Sequence, residues 1–181
     1  MIIRTVLFAA VLSLSATPLL GQQNENRFDA PARRHDYLTS LFSPAALLGV
    51  AASTALDQIR DDPPEWNFGD RALSNTGRLV LQTSLHHGIA AVMDRSTWYY
   101  PCTCTDTGER VVHALAEAFA DHDRQGKMYF SVAHVGSVYG SAFAESAWRP
   151  HRSLSEAFMS GTSSLVGSSL LNLWREFATN R

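Results

Sequence analysis

The sequence predicts an all-α fold, a bundle of about five helices following a secretion signal. Three observations predict it. Long weakly charged tracts carry helical spacing and are separated by clear breakers. Small residues recur at four-residue intervals along several of those tracts. The Ser-Ala-Gly runs lack the β-branched alternation that strands prefer.

The chain opens with a short basic start at Arg4, an uncharged apolar tract through Val6-Leu7-Phe8-Ala9-Ala10-Val11-Leu12, a turn at Pro18 and Gly21 before a polar run. That is the layout of a removable secretory signal over residues 1–21. The apolar tract is short for a spanning helix, which needs about 20 residues. No cysteine lies near the exit, so there is no lipid-anchor site at that point. Residues 22–36, polar and containing Pro31 and Arg33-Arg34-His35-Asp36, read as a flexible lead-in. Residues 37–181 are left as a single helical domain.

Helical segments then follow in order. The first runs from about Tyr37 to Ile59, with Ser43-Pro44 as a cap and a proline at the first helical position, and ends at Asp61-Asp62-Pro63-Pro64. The second covers about Asp70 to Met93 and stops before the aromatic loop Trp98-Tyr99-Tyr100-Pro101. The third, Asp106 to His122, is amphipathic, and Val111, Val112, Leu115, Ala118 and Phe119 define its expected buried face. The turn Asp123-Arg124-Gln125-Gly126 closes it. The fourth covers about Lys127 to Trp148, before Pro150. The fifth begins at Ser153, spaced from Glu156 as in a capping box, and ends near Phe177.

Gly136, Gly140 and Ala144 form one stripe, and Ser160, Ser164 and Ser168 form another on the next helix. Each glycine costs about 1 kcal/mol of helix propensity relative to alanine, so close helix–helix approach is its expected use. The two stripes are the expected partners of one another. A tight soluble bundle would use the same stripes. All four tryptophans, Trp66, Trp98, Trp148 and Trp174, fall at or just beyond helix ends, where a membrane interface would select them.

These features together resemble an uncharacterised family of exported, helical, small-residue-rich bacterial envelope proteins of acidobacterial type. The matching parts are Gly77-Arg78, Asp94 before an aromatic loop, Gly108-Glu109-Arg110, the return Ala142-Phe143-Ala144-Glu145-Ser146-Ala147-Trp148 closed by Pro150, and Gly167 to Trp174. The family carries a charged Glu-Asp-Pro-Arg-Tyr-like loop where this chain reads Met93-Asp94-Arg95-Ser96-Thr97-Trp98. The resemblance implies architecture and export, and brings no activity.

Charge is nearly balanced, 15 Lys plus Arg against 17 Asp plus Glu, so nothing points to nucleic acid. No phosphate loop, zinc pair or nucleophile elbow is present, and no cofactor motif. Glu109, His113, Glu117 and Asp121 share one face of the third helix, which reads as a solvated polar stripe. His86 and His87 point about 100° apart on a helix and cannot share one ion, though His134 could meet either across a helix pair. A metal set would draw on Cys102, Cys104, His113, Glu117 and His134, with copper suited to the thiolates. The expected function is that of a non-enzymatic accessory or scaffold component of the cell envelope. Its partners would be a membrane surface, a membrane protein complex or a second copy of the chain. The competing expectation is a periplasmic metal-binding protein or enzyme using His113, His134 and the Cys102/Cys104 loop.

Overall fold

The computed structural model describes residues 28–178. The expected signal, residues 1–21, lies outside the described residues. Among the described residues there are six helices and one hairpin: α1 (Ala30–Phe42), α2 (Pro44–Arg60), α3 (Phe68–Val92), α4 (Thr107–Glu117), β1 (Ala120–His122), β2 (Met128–Phe130), α5 (Val132–Glu145) and α6 (Leu154–Ala178). The bundle is all-α in the expected sense. α2, α3, α5, α6 and α4 pack as consecutive neighbours, and α1 returns onto α3.

Local chemistry explains the boundaries. Ser43 takes an extended backbone, ends α1, and accepts the Ala46 amide through Oγ, so one residue breaks and restarts a helix with Pro44 at its first position. Asn67 and Asp70 form a reciprocal capping box at the start of α3. Asp106 caps α4 through the Gly108 and Glu109 amides, Ser131 caps α5 through the His134 amide, and Ser153 with Glu156 closes the expected box at α6.

Three expectations are corrected. The lead-in is partly helical, because α1 begins at Ala30 and includes Arg33 to Asp36. Arg33 donates to the carbonyls of Phe28 and Arg95, and Thr97 donates to Asp36, which ties this segment to the loop after α3. A short antiparallel hairpin, with Ala120 opposite Phe130, occupies the ends of the expected third and fourth helices. Gly126 supplies its turn at φ 77°. The glycine stripe also has a different partner. A Cβ at Gly140 would stand 3.3 Å from Leu85 Cδ1, and one at Gly136 3.7 Å from Ile89 Cδ1, so both face α3. Ser160 and Ser164 instead accept from Arg78 of α3, at 2.5 and 3.0 Å. The close α5–α6 approach is at Gly161, where a Cβ would lie 2.5 Å from the Tyr139 ring.

The core is small and polar. Its apolar members are mostly alanines, Ala90, Ala114, Ala133, Ala142 and Ala157, with Val138 and Leu165. Arg71, Glu117, Asp121, Glu145 and Glu176 are buried among them, while Phe42, Ile59, Leu73 and Leu154 are exposed. α4 shows the inversion most plainly. Val112 is 67% exposed and Leu115 39%, whereas Glu117 is 7% and Asp121 4% exposed, so much of the face expected in the core is outside and the C-terminal half of the expected solvated stripe is inside; Ala118 is buried and Glu109 exposed, as expected.

Candidate functional site

The interior charges fall into three groups. At the end of the bundle where α3 begins, Glu145 is fully buried and ringed by Arg78, Arg149 and Arg152 at 3.4, 3.2 and 2.5 Å. Arg149 also reaches Asp57 and Asp62, and buried Arg71 donates to Gln58, Asp61 and the Pro63 carbonyl. Such a network fixes register but adds little net stability over apolar packing, because each charge was taken out of water. At the opposite end, fully buried Glu176 accepts from Tyr99 Oη at 2.5 Å, the Cys102 amide at 3.2 Å and Arg110 Nε at 3.0 Å. These bonds hold the cysteine loop against α6. Burial and the neighbouring carboxylate raise the Tyr99 phenol well above its ordinary value, so it remains the donor.

The third group lines a cavity of about 250 Å³ where α3, α4, β1, α5 and α6 meet. α3 brings His86 and Thr83, α4 brings Glu117, β1 brings Asp121, α5 brings His134 and α6 brings Asn172. The His86 and His134 rings stand 5.3 Å apart, edge to face, which is the cross-helix meeting the sequence allowed. Burial and the two neighbouring imidazoles press the His86 pKa down to about 3, and burial lowers that of His134, so both rings are neutral at pH 7. Burial raises the carboxyl pKa of Glu117 and of Asp121.

Hydrogen bonding here is incomplete. Asp121 Oδ1 accepts from Ser131 at 2.6 Å and the Ala133 amide also favours the carboxylate, while buried Asp121 Oδ2 and His134 Nε2 make no hydrogen bond of full geometry. Glu117 Oε1 lies 3.4 Å from His122 Nε2 and 3.9 Å from His113 Nε2, with hydrogen-bond geometry to neither. His113 Nε2 is 2.8 Å from the Tyr100 carbonyl, which can only accept, so that nitrogen carries the proton and is already committed. Buried polar atoms are nearly always paired, and each unpaired one costs about 1–3 kcal/mol.

The expected metal set is only partly brought together. Glu117 and His134 share the cavity, and His113 approaches Glu117 from the turn before. Cys102 and Cys104 are joined to each other as a disulfide in the loop over Glu176. Among the described residues no three His, Cys, Asp or Glu side chains converge so as to hold a metal ion. Of the tryptophans, Trp148 and Trp174 are 40% and 47% exposed. Trp148 donates to Ser74 near the start of α3, and Trp66 is partly buried. Trp98 lines the cavity rather than the outer surface alone.

The sequence places Asp121 in a polar stripe and Arg78 and Glu145 within the resembling segments, but marks none of them, nor Glu176, as a buried charge. Only the i,i+4 spacing of Glu145 and Arg149 signals a pair. No protein-family model, curated protein or solved structure matches this chain, so the site is read from its own residues.

Proposed function

We propose that the protein is an exported, non-enzymatic component of the cell envelope, held at a membrane surface by the apolar outer faces of α1 and α2. The observation that supports this most is the reversed distribution of polarity. Leu38, Phe42, Leu47, Leu48, Leu56 and Ile59 are all exposed along these two helices. Thr54 is the one buried residue of the pair. An apolar groove of about 330 Å³ continues this face onto α3, between Phe42, Leu47, Phe68 and Val80. Soluble monomers rarely expose so continuous an apolar surface. The segment 30–60 is also long and apolar enough to cross a membrane by length and composition, which a membrane anchor or a signal sequence would share.

Each Leu or Phe moved from water into the acyl boundary contributes about 1.5–3 kcal/mol when fully transferred, so partial immersion of a few gives useful binding. The full chain should float with vesicles of phosphatidylcholine and phosphatidylglycerol. Leu47→Ser with Ile59→Ser should abolish flotation without unfolding the bundle, because both residues are on the outside. Recovery of the unaltered protein in the lipid-free fraction would sink the proposal. Export is tested separately by the mass of the native protein, which should lack about the first 21 residues.

A further inference from the structure

We propose that the Cys102–Cys104 disulfide is an exchange site for the thiols of other peptides, opened by attack at Cys104 with Cys102 as the leaving thiolate. The exchange is independent of membrane attachment. The bond encloses a single residue, Thr103. A crosslink stabilises a fold mainly by restricting the unfolded chain, and one so local restricts it very little. The loop is held by other means. Glu176 of α6 accepts from the Tyr99 phenol and the Cys102 amide, and Asp106 caps α4 just beyond the loop. None of these bonds passes through sulfur, so they persist when the disulfide opens.

Both sulfurs belong to partly exposed residues, and Pro101, Thr103 and Thr105 around them are exposed. Exposed disulfides are the labile ones, whereas structural ones resist reduction by thiols. One contact distinguishes the two sulfurs. The Cys104 amide donates to Cys102 Sγ at 3.1 Å. A hydrogen bond strengthens when its acceptor becomes charged, so a thiolate on Cys102 is stabilised. The sulfur that leaves more easily directs attack to its partner.

In the first step a peptide thiolate bonds to Cys104 Sγ, the disulfide breaks, and its electron pair leaves on Cys102 Sγ. A second thiol of the same peptide then bonds to the first peptide sulfur and displaces Cys104 as a thiolate. Two peptide thiols become one disulfide, and the protein gains two electrons. The two protons released by the peptide end on Cys102 and Cys104. The chain has no other cysteine, so within the molecule the opened pair can reclose only on itself.

The test treats the oxidised full chain at pH 7 with reduced glutathione or with a two-cysteine peptide. Samples are acid-quenched early, alkylated and mapped by tandem mass spectrometry, with circular dichroism recorded alongside. Glutathione should be found at least tenfold more often on Cys104 than on Cys102, with the helical signal unchanged. The dithiol peptide should emerge as its disulfide in equal amount to the opened protein. A bond that glutathione leaves closed while dithiothreitol opens it is a structural crosslink, and would overturn the proposal. So would equal adducts on the two cysteines, or loss of helical signal on opening.

Discussion

Single residues carry several of the contacts that decide this structure, and two can be weighed directly. At Gly161 an added methyl would fall 2.5 Å from Tyr139 Cδ1, a distance that real contacts do not show. Tyr139 is held by Thr162 at 3.0 Å and stacked on Phe158, so it cannot simply swing aside. Gly161→Ala should therefore destabilise the protein by about 1–3 kcal/mol, measured by chemical denaturation. Gly49→Ala, with open space around it, should be neutral or slightly stabilising. His86 offers a pH test. Its folded pKa of about 3 lies below the usual 6.5, so its contribution is fully present above 6.5 and is lost as pH falls toward 3. The raised carboxyls of Glu117 and Asp121 act in the opposite sense, contributing at low pH and losing that contribution as pH rises through their values. His87, His134 and Arg175 face the same cavity, so the comparison must be made against a variant. Between pH 7 and pH 5 the parent should lose stability relative to His86→Phe, by at most about 1.4 kcal/mol per pH unit. Parallel stability curves for the two proteins would show that His86 does not titrate as an isolated buried imidazole.

Helices were legible where capping chemistry is local and illegible where burial is decided by the rest of the chain. Ser43-Pro44, Asp106 and the Ser153/Glu156 pair each act within one turn, and each sits where the sequence places it. The hairpin was hidden because its strands are only three residues long, too short for alternation to register. α4 was misoriented for a deeper reason. Periodicity locates a helix's apolar face but says nothing about whether that face meets the core or another apolar medium. Here Ala114 and Glu117 turn inward, with the Tyr100 amide donating to Glu117, and Val112 turns outward. The same uncertainty hid the cavity, whose polar lining comes from five elements spread between Thr83 and Asn172. Val112→Ser should change stability in solution by less than about 0.5 kcal/mol, as an exposed position does. A loss of about 2 kcal/mol or more on denaturation would place Val112 in a core after all.

Across the whole molecule, charge is held inside at both ends and apolar bulk is turned outward. The end cluster around Glu145 joins α2, α3, α5 and the α5–α6 turn through Asp57, Arg78, Arg149 and Arg152. Removing the Glu145 carboxylate takes the shared counter-charge from Arg78, Arg149 and Arg152, of which Arg149 keeps Asp57 and Asp62. Glu145→Ala should cost about 3–5 kcal/mol in a denaturation experiment, far more than any surface ion pair. A cost below about 1 kcal/mol would mean that water already solvates the cluster. The proposed medium for the outer apolar surface is lipid. That medium is most directly identified by a photoactivatable hydrophobic probe dissolved in vesicles, with labelled residues mapped by mass spectrometry. Labelling concentrated on Phe42, Leu47, Leu48 and Ile59, and sparing Ala114, Val138 and Ala142, is the predicted result. Equal labelling with and without vesicles, or a pattern that leaves Phe42 and Leu47 untouched, would contradict lipid contact through α1 and α2.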